Sequence, residues 1–453
     1  MTSRLTSSMF SSGDMLNVFS DQAAIQRMLD VEAALTRAEA QHGVIPATAV
    51  HAICGCCDAA LIDLPALMKA AGPAGNLAIP LVKQLTALVA ARDAEAAKYV
   101  HWGTTSQDII DTGLVLQLRE AFRLFDADLG KLAGVLAHLA EQHRHTPMVG
   151  RTWMQHALPI TFGLKAAGWL DAIVRHMDRL DGLRARSLAL QFGGAAGTLA
   201  SLGGKGLQVA ATLAGELGLT LPDTPWHTQR DRVVEAATVI GMLTGTLGKM
   251  ARDISLQMQT DVAEVSEPLA EGRGGSSTMP HKRNPVGCAA ALTAAIRVPA
   301  LVSTMLSAMV QEHERALGGW QAEWDTLPEI MQLASGALEQ MRSVVSGLAV
   351  DAARMRINLD ATQGQIMAEA VALALGGRIG RMQAHQAVER ACHLAAGSGR
   401  HLGDVLKADP AIRAELQEVD IDKLLDPAGY TGEAEAFIER VLHTYRERDA
   451  NKH

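Results

Sequence analysis

Residues 115–139 read VLQLREAFRLFDADLGKLAGVLAHL, and their apolar positions decide the fold class. Val115, Leu118, Phe122, Phe125, Leu129, Leu132, Leu136 and Leu139 follow one another at alternating steps of three and four. A helix turns once in roughly 3.6 residues, so this spacing predicts one long helix with a single apolar seam, the pattern of a coiled coil or helical bundle. No proline interrupts it before Pro147, and Gly130 and Gly134 lie off the seam, where a second helix can approach closely. Similar long stretches are expected over 159–187, 229–266, 286–316 and 325–350, with no alternating strand-like blocks to compete.

The ends of the chain read as shorter helices. Gly43-Val-Ile-Pro46, Asp63-Leu-Pro65 and Gly72-Pro73 break the first part, and Gly376-Gly377, Gly397-Ser-Gly399 and Asp426-Pro427 the last. The expectation is an all-α protein: an N-terminal helical domain over 1–110, a central long-helix bundle over 111–351 and a C-terminal helical domain over 352–453. A bundle rich in Ala, Leu, Val and Met on more than one face buries one of them against other subunits.

A chain of 453 residues exceeds one ordinary core, and 48% apolar with 20% charged residues is a soluble composition. The net charge of -8 argues against a nucleic-acid partner and requires a local basic pocket for any anionic substrate. No apolar segment follows Arg4 as in a secretion signal, and no uninterrupted apolar run reaches bilayer length, so a cytoplasmic protein without a membrane partner is expected. Cys54, Cys56, Cys57, Cys288 and Cys392 are an odd number of thiols, consistent with a reducing compartment. The first three follow His51, but their spacing matches no standard zinc pattern, and no metal is expected.

Chemistry concentrates at residues 275–285, Gly-Ser-Ser-Thr-Met-Pro-His-Lys-Arg-Asn-Pro. Small residues free backbone amides, and Lys282 and Arg283 supply cations that a short loop can aim at a developing oxyanion. For Arg283 a surface ion pair is an equal alternative. Residues 101–112, His-Trp-Gly-Thr-Thr-Ser-Gln-Asp-Ile-Ile-Asp-Thr, place Thr104, Thr105, Ser106 and Gln107 just before a helix starting near Ile109, where carboxylates are favoured. Asp108 and Asp111 read as possible N-caps, and for Asp111 that reading is preferred. Arg151, in Gly150-Arg-Thr-Trp-Met-Gln-His156, and Arg315, in Gln311-Glu-His-Glu-Arg315, can each grip a carboxylate in bidentate fashion. His101 and His156 can donate to a substrate or merely satisfy backbone groups, whereas His143 and His145 read as solvent-facing.

Together these segments resemble the fumarase/aspartase superfamily, whose signature loop is written Gly-Ser-x-x-Met-x-x-Lys-x-Asn; the fourth piece, 311–315, is similar to its adenylosuccinate lyase branch. The resemblance implies a homotetramer in which three regions from different subunits share each active site, and it needs no cofactor. It makes Ser276 the proton carrier, with Lys282 the second candidate. Ser277, Trp153, Gln155, Met279 and Asn284 join His101, Thr104, Thr105, Ser106, Arg151, His156 and Arg315 as substrate-binding residues. The glycines imply that the loop, 272–286, closes over substrate.

Two departures narrow the chemistry. Fumarate-eliminating members carry a histidine where this chain has Trp153, and a glutamate five residues beyond the signature asparagine where it has Ala289. Indole and methyl groups cannot protonate a leaving group. With residues 191–199, 226–231 and 320–324, the resemblance narrows to cycloisomerases of the superfamily. The expected substrate is a small tricarboxylate, one carboxylate of which adds to an activated double bond. A fumarate-releasing lyase in which His156 takes over the acid role and an inactive structural oligomer are the alternatives.

Overall fold

The computed structural model describes residues 4–268, 274–275, 278–279 and 281–450. Helices carry nearly all of its regular structure. Among its long helices are α1 (Asp21–Gln41), α2 (Ser106–Gln142), α3 (Phe162–Ser187), α4 (Asp231–Gln257), α5 (Val286–Ala308), α6 (Gly319–Ser346) and α7 (Ala434–Ala450). Every residue of the 115–139 seam is buried. Each such side chain withdrawn from water contributes about 1.5–3 kcal/mol.

The chain divides into two compact units. The first joins Met1–Leu129, His176–Gly248 and Ala290–Gln340. Here α4 and α5 meet across glycines: a Cβ on Gly248 would lie 2.4 Å from Ala295 Cβ, and one on Gly241 2.8 Å from Val302 Cγ2. Any larger residue would drive the helices apart.

The second unit joins Gly130–Arg175, Lys249–Ala289 and Met341–His453. Its C-terminal helices share a core that includes Val371, Leu375, Val388, Leu402, Leu406 and Ile421. Gly134 admits α7 as its sequence position implied, with Tyr445 Oη 3.5 Å from where a Cβ would stand.

Several boundaries differ from the sequence expectation. The segment after Pro147 is a hairpin, β1 (Pro147–Thr152) paired antiparallel with β2 (Gln155–Thr161), and β3 (Val265–Ser266) pairs with β4 (Ala349–Val350). Gly72-Pro73 falls within the last turn of helix Leu64–Ala74, which stops at left-handed Gly75 instead. Gly376-Gly377 lies within helix Ala368–Ile379. Pro299 and Pro328 lie inside α5 and α6. By length and composition α5 is apolar enough to cross a membrane, with mean hydropathy 1.7, although Arg297 interrupts it. The expectation of no uninterrupted apolar run of bilayer length is unaffected, because Arg297 divides this helix.

Candidate active site

The first unit holds His101, Thr104, Thr105, Ser106 and Arg315. Asp108, in the opening turn of α2, organises them. Its buried carboxylate accepts from Thr105 N (3.1 Å), Thr104 Oγ1 (3.2 Å), Gly193 N (3.0 Å), Gly194 N (2.8 Å), Gln191 Nε2 (3.3 Å) and His227 Nε2 (2.8 Å). A buried carboxylate so fully satisfied holds its donors in place. Glycine is required at 193, where a Cβ would lie 2.8 Å from Pro225 Cβ and 2.9 Å from His227 Cε1. Arg315 Nη2 donates to Thr105 Oγ1 (2.9 Å) and Ala195 O (3.1 Å), which unites two segments far apart in sequence. Its Nε is buried and has no partner among the described residues, a donor left over for an anion.

Beneath this layer lies a fully buried ion cluster. Arg230 pairs with Asp111 (2.7 Å) and Glu323 (2.6 Å), and all three are essentially without exposure. Trp320 Nε1 and Gln107 Nε2 also donate to Asp111, Gln311 Nε2 donates to Glu323, and the Trp226 ring lies against the guanidinium at 4.8 Å. Burial alone would lower the Arg230 pKa, but the two carboxylates outweigh it and the guanidinium stays charged. The N-cap reading of Asp111 is therefore corrected: α2 begins at Ser106, and Asp111 lies inside it, turned into the core.

His101 sits left-handed at φ 61, a conformation that costs a side-chain-bearing residue about 1–2 kcal/mol. Its Nδ1 lies 2.5 Å from Glu32 Oε1 of α1, and Glu32 is buried. Burial pulls the imidazole pKa down, yet the Glu32 carboxylate outweighs that, and the net direction is upward. Two turns further along the same face of α1, burial and the Glu32 charge push the Glu39 carboxyl up to about 9. A folded-state pKa above the unfolded value means stability that is whole below about pH 4.5 and declines as pH rises toward 9. Glu39→Gln should thus raise stability by on the order of 2 kcal/mol near pH 8 and by little near pH 5. Urea midpoints at both pH values check this; an equal gain at both would refute it.

The second unit holds Arg151, Trp153, Gln155, His156, Met279, Lys282 and Asn284. Arg151 forms a bidentate pair with buried Glu264 (2.9 and 2.6 Å), which Asn358 Nδ2 also meets at 2.9 Å. The Arg151 side chain is thus held by the protein itself. Across the hairpin from Arg151 stands His156, whose pKa burial and the Arg151 charge lower and whose Nδ1 is buried without a partner among the described residues. Trp153 and Met154 are the two turn residues, at φ 51 and 65, and Trp153 is 97% exposed. A two-residue turn of this hand favours Asn-Gly, so a Trp-Met pair stores strain at the tip.

Of the signature loop, Ser276 and Ser277 lie outside the described residues. Its base is closed by Asn284 N donating to Gly274 O (2.9 Å), and a Cβ on Gly274 would lie 2.8 Å from Asn284 O. Glu267 accepts from Gly287 N (3.1 Å) and Cys288 N (2.8 Å), which caps α5 where the loop ends. Lys282, Arg283, Met279 and Ala289 are exposed, and Asn284 is partly so. His143, read as solvent-facing, is half-buried: it bonds Thr146 Oγ1 and stands edge-on to Phe162.

Sequence reasoning missed Glu32, His227 and Arg230. Glu32 gave one signal, a charged residue between Val31 and Ala33, whereas Arg230, between Gln229 and Asp231, sits in a polar stretch that gave none.

Comparison with known proteins fits this arrangement. Residues 11–300 match a family model described as "Lyase", and residues 364–441 one described as "Adenylosuccinate lyase C-terminus". The chain is 58% identical to a 3-carboxy-cis,cis-muconate cycloisomerase of Pseudomonas aeruginosa, over 96% of this chain and 94% of that one. It is 56% identical to one from Bradyrhizobium diazoefficiens, over 99% of each. The crystal structure of 3-carboxy-cis,cis-muconate lactonizing enzyme from Pseudomonas putida superposes with a TM-score of 0.94 at 53% identity, covering 98% of this chain and 99% of that one.

Proposed function

The chain belongs to the lyase family of the fumarase/aspartase superfamily, and we propose that it converts 3-carboxy-cis,cis-muconate to 4-carboxymuconolactone, a cycloisomerase step in protocatechuate catabolism. The observation that carries this reading is the paired absence of a titratable group at Trp153 and Ala289 in a chain otherwise so similar to the cycloisomerases. Ring closure needs no acid on a leaving group.

In the proposed reaction one substrate carboxylate oxygen forms a C–O bond to an alkene carbon. The displaced π pair moves to the carbon alpha to another carboxylate and is held as an aci-carboxylate dianion. A proton delivered to that carbon, from Ser276 or with Lys282 as the second candidate, completes the lactone. Lys282 and the loop amides near Ser276 and Ser277 stabilise the added charge. Thr104, Thr105 and Ser106 at the start of α2, with Arg315, receive a carboxylate. His101, Arg151, Gln155, His156, Met279 and Asn284 complete the binding group, and Trp153 offers apolar surface to the diene.

The assembly we propose is a homotetramer with sites shared between subunits. Support comes from α5, which leaves Ile296 and Leu306 exposed along its apolar length, with Val310 exposed just beyond it. The five thiols fit a cytoplasmic setting. The partition at 110 and 351 and the closing of the loop over substrate belong to the same proposal.

The deciding experiment follows ultraviolet absorbance of 3-carboxy-cis,cis-muconate with purified protein. Rapid loss of the conjugated diene with a lactone product is the expected result. Fumarate released from adenylosuccinate instead would assign the acid role to His156, whose Nδ1, without a partner among the described residues, gives that reading its one foothold. No turnover of either substrate would leave a structural oligomer.

A further inference from the structure

We propose that Glu32 is the positioning residue of His101: its buried carboxylate orients the ring through Nδ1–H and keeps it protonated, so that the imidazolium Nε2–H is presented to a substrate carboxylate. This rests on the cycloisomerase reading above. Glu32 lies on α1, 1% exposed, and the only side chain it bonds among the described residues is His101. A carboxylate buried this deeply is retained only with a hydrogen-bonded partner. The 2.5 Å contact engages Nδ1, and no described residue accepts from Nε2, while the ring keeps 19% exposure.

The chain is bent to make this contact. His101 is left-handed, and so is Gly103, where a Cβ would fall 2.3 Å from Leu202 Cδ2. Three residues after His101 come Thr104, Thr105 and Ser106 at the start of α2, so the imidazole precedes the helix end that favours anions. An imidazolium whose Nδ1–H is held by a carboxylate presents Nε2–H as a donor of fixed direction, and the ion pair as a whole carries no net charge until substrate arrives.

The charged neighbours have definite states. Asp108, from the first turn of α2, also favours the protonated ring. Behind Glu32, Glu39 stays protonated near neutral pH, and the Cys57 thiol, pushed upward by burial and by Glu32, stays neutral. Glu32 is therefore the carboxylate on α1 that answers the His101 cation. A ring whose folded pKa is raised loses its proton, and its hold on an anion, only as pH climbs through that raised value.

The test combines side-chain NMR of imidazole-labelled protein with pH profiles of kcat/KM for the parent, Glu32→Gln, Glu32→Asp, His101→Asn and the Glu32→Gln/His101→Asn double variant. In the parent, His101 should titrate above the other exposed histidines with Nδ1 protonated. In Glu32→Gln its titration and the alkaline limb of kcat/KM should move down by about one pH unit or more. KM should rise about tenfold with kcat changed less, and Glu32→Asp should recover part of the loss. In the His101→Asn background, Glu32→Gln should add less than about twofold. An unshifted His101 titration, a parent ring without a proton on Nδ1, or a full multiplicative loss in the double variant would overturn the proposal. An inactive parent would instead sink the cycloisomerase reading, while the parent titration still decides the Glu32–His101 pair, even if Glu32→Gln does not fold.

Discussion

Ser276→Ala and Lys282→Ala should each lower turnover of 3-carboxy-cis,cis-muconate by at least about a hundredfold, with little change in melting temperature. The scale is that of removing one proton carrier or one electrostatic stabiliser of an oxyanion. Catalysis here is asked to stabilise charge that exists only after the C–O bond has begun to form, so the loss should appear in kcat rather than in KM. Stability should hold for Lys282→Ala because Lys282 is exposed and forms no ion pair among the described residues. Steady-state kinetics beside a thermal melt check both halves. Near-normal turnover in either variant removes that residue from the mechanism.

Arg230→Met should cost about 3–5 kcal/mol of stability, because it strands Asp111 and Glu323 as buried charges without their shared partner. Removing the carboxylates at the same time, as Asp111→Asn, Arg230→Met and Glu323→Gln together, should cost less than the single change. Urea denaturation of the two variants distinguishes the ledgers. If the single variant unfolds at the parental midpoint, the cluster is not holding α2, α4 and α6 in register. The same experiment separates stability from chemistry, since none of the three residues is placed against substrate.

How much of this was legible in sequence depends on the length scale of each signal. The seam from Val115 to Leu139 was legible because helical periodicity is local, and all of it is buried. The hairpin was not. Its strands lack alternation, a bulge shifts the register between Gly150 and Arg151, and the Trp153-Met154 turn contains neither Asn nor Gly. Asp111 was misread because a lone aspartate near a helix start looks like a cap, and only the tertiary fold brings Arg230, more than a hundred positions later, to meet it. Thr105 and Arg315 were both singled out as binding residues, but nothing in the sequence said that they touch. Arg151 was assigned to substrate on its charge; its bidentate grip on Glu264 was invisible until the fold placed that carboxylate beside it.

The exposed tip of the hairpin has a consequence for descent. Position 153 borders no packed interior within its own chain, so replacing its side chain leaves the folded scaffold intact. Ala289 is likewise exposed. A lineage can therefore exchange either side chain by single inherited steps, each through a viable folded ancestor, and change the proton inventory of the proposed site without rebuilding the scaffold. The Arg230 cluster offers no such path at its centre, because losing the arginine leaves two carboxylates in the interior without their shared cation. Diversity of reaction should accumulate at the tip and constancy at the cluster.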